Sequence, residues 1–400
     1  MKRVAIIRGT NLNKYEMQTY ERLNGKFEVH AIASRRIRHD VSTVHLPIHR
    51  VWCSEDLIGA LLPHRLERFG LFLANQVLGY EQVLFGLDRR LEGFDLVHTA
   101  DPSYYYSYQA ATAKKRLGYK LVVTQWQNVP FAGEYLPGLR KRKYAVLRET
   151  DHFVAVTQRA RETLLLEGVE EHRITVLPPG IDLDRFKPTG KDPELLKRLR
   201  AGPEDIIISY VGRLVRSKGI EFLLWGFRKL KTDPDISALK EKVKLAFFGA
   251  GRHEKELRRW VEQWGMSDGV CFPGFFPYDQ IERVYGTTDI FVLPSIPSHF
   301  IFPWQEQLGM VLLESMASEC AVVTTRSGSI PEVVGDAALL CQPADFLDLY
   351  EKMRALCLGR ELRKRIGAAG RERVATLYNA QYNAERMAEL YDRVVSGVRL

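Results

Sequence analysis

A chain of 400 residues is too long for one compact core and suits two α/β domains, and 46% hydrophobic with 27% charged residues is the mix of an ordinary soluble protein. Its five cysteines (Cys53, Cys271, Cys320, Cys341 and Cys357) have no paired spacing, so neither a disulfide framework nor a zinc site is implied. The formal charge of +9 is unevenly placed: residues 1–150 hold 23 Lys and Arg against 14 Asp and Glu, and the remainder holds 35 of each.

The chain starts Met1-Lys2-Arg3, then Val4-Ala5-Ile6-Ile7, an apolar run too short for a signal peptide. It predicts the first buried strand of a parallel sheet and, with the unpaired cysteines, a cytoplasmic protein. Further strands are predicted at 27–32, 96–98, 121–124, 153–156 and 174–177, each followed by a longer helical pattern. Basic runs occur at Arg35-Arg36-Ile37-Arg38, Lys114-Lys115-Arg116 and Arg140-Lys141-Arg142-Lys143. They read either as solvated helix faces or as a surface for anionic membrane, at about 1 kcal/mol per charge, which would put the protein peripherally on the inner face of that membrane. No nucleic-acid-binding signature accompanies them, so nucleic acid is not a predicted partner.

Residues 56–87 are rich in Leu, Phe and Val but are interrupted by Pro63, Arg65, Glu67 and Arg68, so they cannot span a bilayer as one segment. They read as buried or amphipathic helices of the first domain, or as a helix that touches membrane. The run Tyr104-Tyr105-Tyr106-Ser107-Tyr108 offers rings for stacking on a sugar or for packing a helix. His45 and His49 are separated by Pro47, which argues against a helical metal pair.

Leu177-Pro178-Pro179-Gly180-Ile181-Asp182 stops a strand and stiffens a connection, which predicts a domain boundary at 180. A second series of strands is predicted at 206–211, 243–248, 270–272, 290–293, 321–324 and 338–340. Two such series predict two doubly wound parallel-sheet (Rossmann-like) domains, 1–180 and 181–378, with a ligand cleft between them. A last helix in 379–400 either closes the fold or crosses back to the first domain.

Four segments of the second series carry chemistry. Strand 206–211 runs into Gly212-Arg213-Leu214-Val215-Arg216-Ser217-Lys218-Gly219, which sets two cations, Arg213 and Lys218, at a strand's carboxyl end. The leaving group of a nucleotide-diphosphate sugar gains negative charge as its bond breaks. One cation in contact with it is worth roughly 4 kcal/mol at an effective dielectric near 20. By itself such a loop also reads as a solvated turn. Phe247-Phe248-Gly249-Ala250-Gly251 reads as close strand–helix packing or as ligand contact at Gly249. Phe272-Pro273-Gly274-Phe275-Phe276 ends a strand on a glycine turn, where the backbone near Phe275 could meet a base.

The fourth segment is Glu306-Gln307-Leu308-Gly309-Met310-Val311-Leu312-Leu313-Glu314, preceded by an aromatic loop over 294–304 that could shape a donor pocket. A helix starting near Gly309 points unpaired N–H groups at an anion, with Glu306 in the loop before it and Glu314 on its second turn. One carboxylate could then meet a sugar and the other a ribose. Spacing alone leaves open an exposed capping acid and an ordinary helical Glu.

In order along the chain, Pro-Gly-Ile-Asp with Phe186, Gly-Arg-x4-Lys-Gly, Gly-x-Gly, Pro-Gly-Phe, Glu-x7-Glu and Gly328-Ser329-Ile330-Pro331-Glu332 resemble the retaining glycosyltransferases of family 4, of GT-B fold. The resemblance is strong over 174–340 and loose before it. It implies that Arg213 and Lys218 bind the donor diphosphate, Glu306 contacts the transferred sugar and Glu314 holds the ribose. The Gly309 and Met310 backbone would touch phosphate or sugar, with Leu308 where the family has Phe. It also implies front-face attack with retention, the departing phosphate helping to deprotonate the acceptor.

The acceptor half departs from that pattern. Arg8-Gly9-Thr10-Asn11 stands where the family has Gly-Gly-x-Glu, and Gly9 still admits close approach to a phosphate. His98 matches the first His of a family His-x-His, and Ala100 replaces the second. That leaves Asp101, Trp126 or Asn128 to line the acceptor pocket, and His98 open to simple packing. The expected substrates are a UDP-, GDP- or ADP-linked sugar and a glycan, lipid-linked or small-molecule acceptor. No cofactor is expected. No Asp-rich metal motif of the Asp-x-Asp type is read in the chain, so the two cations and the helix terminus would replace a divalent ion. The competing functions are a nucleotide-sugar epimerase or hydrolase of this architecture and a catalytically silent membrane-associated scaffold.

Overall fold

The computed structural model describes residues 1–73, 82–298 and 303–397. They form two compact units, Met1–Gly180 with Ala380–Leu400, and Ile181–Asn379.

The first unit is built on a wholly parallel seven-stranded sheet. Its strands are β1 (Lys2–Gly9), β2 (Phe27–Ser34), β3 (Ile48–Val51), β4 (Leu96–Ala100), β5 (Lys120–Gln125), β6 (His152–Ala155) and β7 (Ile174–Val176), in the order β3-β2-β1-β4-β5-β6-β7. Alternate side chains of a strand leave by opposite faces, so β1 feeds two cores. Ala5 and Ile7 pack with Tyr106, Val123 and Phe153, while Val4 and Ile6 pack with Phe27 and Val122. The second of these cores is closed by the helix Ala380–Ser396 through Met387, Leu390 and Tyr391. A sheet covered on both faces requires near-continuous apolar strands, which is how β1 and β5 read in the sequence. Strand β3 was not among the predicted strands: Ile-His-Arg-Val is four residues long, follows Pro47 and occupies the sheet edge.

The second unit holds β8 (Ile206–Val211), β9 (Val243–Phe248), β10 (Val270–Gly274), β11 (Ile290–Leu293), β12 (Ala321–Thr325) and β13 (Leu339–Cys341), all parallel, in the order β10-β9-β8-β11-β12-β13. The chain enters and leaves this unit at one place, where Ile181 N donates to Tyr378 O over 2.6 Å. Both sheets reverse direction beside their first strand. Ligands of open α/β sheets bind outside the strand carboxyl ends at that reversal. In the first unit this point lies at the ends of β1 and β4, and in the second at the ends of β8 and β11. Among the described residues no helix is long and apolar enough to cross a membrane, and the cysteines are free.

Candidate functional site

At the reversal in the second unit, β8 passes through Gly212 and Arg213 into a short turn, Arg216–Lys218, before the helix Ile220–Lys231. Gly219 ends that turn at φ +62°, and a Cβ there would lie 2.0 Å from Pro294 O, so the turn is pressed against the end of β11. Ile296 N also donates to Ser217 O over 3.0 Å. This contact brings Lys218 to Glu306, 88 residues away: Nζ donates to Glu306 Oε2 over 2.6 Å. Ser295 Oγ, fully buried at the end of β11, donates to the same oxygen over 2.7 Å. The Lys218 ammonium lies 4.8 Å from the Trp304 ring centroid. Glu306 is itself fixed by the hydrogen bond from Ser329 N to its carbonyl at 2.9 Å. Arg213 is exposed, and its guanidinium makes no hydrogen bond or ion pair among the described residues. The loop under it is pinned by Tyr210 Oη, which donates to Arg213 O over 2.8 Å.

The helix Met310–Ala317 begins at Gly309, as its position after Glu306 suggested. Met310 is half-buried at its first position, and Leu308 is buried in the turn before it. Glu314 lies on the second turn with a buried carboxyl that accepts from Tyr285 Oη over 2.7 Å. Burial pushes its pKa up, against the Tyr285 and Tyr278 hydroxyls that favour the ion. Phe275 stands exposed just past β10. Gly249 is accounted for by packing, since a Cβ there would fall 1.9 Å from Gly212 O. Residues 299–302 of the aromatic loop, and 74–81 of the apolar 56–87 stretch, lie outside the described residues.

The first unit's reversal holds a second polar cluster. Gly9, at φ +54°, has Gln82 Oε1 2.0 Å from where its Cβ would be, and Gln82 Oε1 accepts from Thr10 N over 2.8 Å. Asn11 Nδ2 donates to Tyr104 Oη over 3.1 Å. Arg8 and Glu16 form a buried ion pair at 2.6 Å, and Arg8 Nη2 also donates to Tyr20 Oη over 2.8 Å. Asn128 is buried beyond β5, and Trp126 is half-buried beside it.

Here one open reading of the sequence takes its packing alternative, and another requires correction. His98 lies in the interior of the first unit. It is fully buried, with Nδ1 2.5 Å from Tyr391 Oη and Nε2 2.7 Å from Thr124 Oγ1, and burial drives its pKa well below the usual value. Its partner lies 293 residues on, so no local signal showed that it joins the sheet to the last helix. The chain also contains two Asp-x-Asp triplets, Asp182-Leu183-Asp184 and Asp233-Pro234-Asp235. In each, an aspartate is engaged by the protein's own groups. Asp182 Oδ1 accepts from Asp184 N and Arg185 N, while Asp233 pairs with Arg354 at 2.7 Å and accepts from Tyr350 Oη at 2.6 Å.

Asp101 differs from both. It sits at φ +43° beyond β4, and its Oδ1 accepts from Trp126 N at 2.8 Å and Gln127 N at 3.1 Å. Burial raises its pKa to about 6, the two N–H groups opposing the shift. Between the unfolded value of 3.8 and about 6 the folded state binds the extra proton, so stability is lost as pH rises through that window. Asp101→Asn keeps an acceptor for both N–H groups and removes the charge. It is expected to be more stable than the parent by up to about 3 kcal/mol above pH ~7, with the gain gone below pH ~4. Urea denaturation at the two pH values measures this, and equal stabilities at both would show that Asp101 ionises normally.

Residues 191–373 match the family described as glycosyl transferases group 1, and residues 24–185 match glycosyltransferase family 4. The chain is 28% identical over 315 residues to a sulfoquinovosyl transferase of Arabidopsis thaliana, covering 72% of this chain and 57% of that one. It is 31% identical over 271 residues to a D-inositol 3-phosphate glycosyltransferase of Geodermatophilus obscurus, covering 64% and 58%. A Corynebacterium glutamicum protein named as a GDP-mannose-dependent phosphatidylinositol monomannoside mannosyltransferase is 28% identical, covering 70% and 72%. The chain thus spans little more than half the length of the first two of these relatives. Among solved structures, Anabaena HepE with UDP and glucose superposes with a TM-score of 0.74 at 16% identity, covering 98% of this chain and 100% of that one. Sucrose-phosphate synthase of Thermosynechococcus elongatus gives 0.70 at 20%, covering 99% and 100%. Likeness at that identity carries the fold, two Rossmann-like domains of the GT-B type.

Proposed function

The chain belongs to the group 1 glycosyltransferases of family 4, and from that premise we propose that it transfers a sugar from a nucleotide diphosphate to a sugar or lipid-linked acceptor, with retention of configuration. The observation that carries this reading is the Lys218–Glu306–Ser295 constellation at the reversal of the second sheet, with Arg213 exposed on the same loop. Lys218 and Arg213 supply the positive charge that a departing diphosphate needs. Glu306 supplies a carboxylate beside the sugar, where positive charge develops as the bond to phosphate lengthens. The Gly309 and Met310 backbone offers helix-terminal N–H groups to phosphate or sugar, and Glu314 is assigned to the ribose. Gly9, Thr10, Asn11, Asp101, Trp126 and Asn128 are assigned to the acceptor side. The relatives named above are transferases, and none is an epimerase, a hydrolase or a scaffold.

The donor base is the first thing to measure. A UDP complex is among the similar structures and a GDP-mannose enzyme among the relatives, so UDP-, GDP- and ADP-sugars form the screen. A true donor at about 100 times its Kd raises stability by about 2.7 kcal/mol, visible as an upward shift in Tm. One series is expected to shift Tm and to support product formation with an acceptor. If none shifts Tm, the donor assignment fails. Donor consumption at equal rate with and without acceptor would instead mark a hydrolase.

A further inference from the structure

The first unit exposes more large apolar side chains in one place than folding of that unit explains. On the helix Ser54–Leu61, Leu57 and Leu61 are exposed, the latter at 78%. On the neighbouring helix His64–Phe72, Leu66 and Phe69 are 54% and 65% exposed, and Leu73 continues the stripe at the spacing of one helical face. Trp52 and Phe85, joined by the bond from Phe85 N to Trp52 O at 2.8 Å, add two more exposed rings at the end of β3.

Arginines adjoin this surface. Arg36 reaches across the first helix to Gly59 O at 3.4 Å and to Glu67 at 2.9 Å, and Arg38 pairs with Glu55 at 2.8 Å. Asp40, on the same loop, is taken by Lys14 at 2.6 Å. Arg35 lies 4.5 Å over the Trp52 ring, and Arg50 donates to Arg35 O over 2.9 Å. Among the described residues neither the Arg35 nor the Arg50 side chain pairs with a carboxylate, and the one nearby acid without a cation, Asp56, is buried and accepts from the backbone N–H groups of Cys53, Arg35 and Arg36. The chain's whole excess of positive charge also falls within residues 1–150.

We infer that this surface docks on an anionic lipid bilayer, with Leu61, Leu66 and Phe69 entering the headgroup region and Arg35 and Arg50 meeting lipid phosphates. An apolar stripe beside surplus cations is what an interfacial helix pair needs, because area buried in the interface and attraction to anionic lipid add. A second copy of this chain is the poorer occupant, since a two-fold contact sets a basic patch against itself. Docking stands independently of the transferase reading. Its corollary, a lipid-borne acceptor, rests on that reading.

The test is cosedimentation of the whole chain with vesicles of phosphatidylcholine, alone or mixed with phosphatidylglycerol, at low and physiological salt. Binding is expected on the mixed vesicles only, and weaker as the Debye length shortens. Leu61→Ser with Phe69→Ser, both exposed, is expected to weaken it about tenfold or more with Tm unchanged. Arg35→Glu with Arg50→Glu should do the same at low salt, since each charge contributes roughly fivefold. No binding to mixed vesicles at either salt overturns the inference, as does undiminished binding by both variants. It is equally overturned if the Ser variant abolishes self-association while the parent ignores vesicles. Donor-induced Tm shifts in the same preparations separate the two readings. Vesicle binding without any donor shift sinks the transferase alone, and a donor shift without vesicle binding sinks the docking alone.

Discussion

Lys218→Ala and Arg213→Ala are each expected to lower kcat by about two to three orders of magnitude, the usual loss when one group stabilising a developing anion is removed. Their effects on stability should differ, and that difference is the sharper test. Arg213 is exposed and makes no ion pair among the described residues, so its removal should leave Tm unchanged. Lys218 is only 14% exposed and faces a Glu306 carboxylate that is 10% exposed, so alanine strands a nearly buried charge without its cation, although Ser295 Oγ still donates to it. That costs on the order of 3 kcal/mol. Adding Glu306→Gln to Lys218→Ala removes the stranded charge and should restore most of the Tm but none of the activity. Near-normal kcat in both single variants, with the true donor, would end the diphosphate assignment. A double variant that recovers activity as well as Tm would show that Lys218 serves only the fold.

The pairing behind that prediction shows where sequence reading stops. Lys218 and Glu306 are each visible in their motifs, because Gly-Arg-x4-Lys-Gly follows an apolar strand and Glu-x7-Glu leads a helix. That they share a hydrogen bond depends on β8 and β11 being neighbours in the sheet, and on Gly219 pressing on Pro294. Local patterning carries no such information. Ser295 was similarly hidden: it is one polar residue in an aromatic loop, and only its place at the end of β11 aims it at Glu306. Strands with continuous apolar runs, such as β8 and β9, were legible because both sheet faces are covered. The short edge strand β3 was not, as its side chains are only partly covered and Pro47 precedes it. His98 marks the opposite case. A histidine at a strand end looks like chemistry, and only Tyr391, far along the chain, reveals a packed and neutral ring.

Those long-range contacts also fix what the Glu306 carboxylate is expected to do. Transfer should proceed in EDTA, because in the proposed reading Lys218, Arg213 and the helix terminus at Gly309 take the part of a divalent ion in neutralising the leaving diphosphate. Glu306→Gln should lower kcat by about two to three orders of magnitude while leaving donor Kd unchanged or slightly tighter. The direction of the Kd effect follows from the observed pair. In the donor-free protein Glu306 already neutralises Lys218 at 2.6 Å, so the carboxylate competes with diphosphate for that cation. The amide keeps the shape and can still accept from Ser295 Oγ, but it releases the charge of Lys218 to the donor. The loss then falls on the transition state, where the sugar becomes cationic and a neutral amide cannot answer it. An interaction made only there is one that raises kcat. Calorimetric Kd beside kcat from product formation separates the two terms. A raised Kd with unchanged kcat would make Glu306 a donor-specificity contact, and loss of all transfer in EDTA would replace the cationic loop with a metal ion as the group that stabilises the leaving diphosphate.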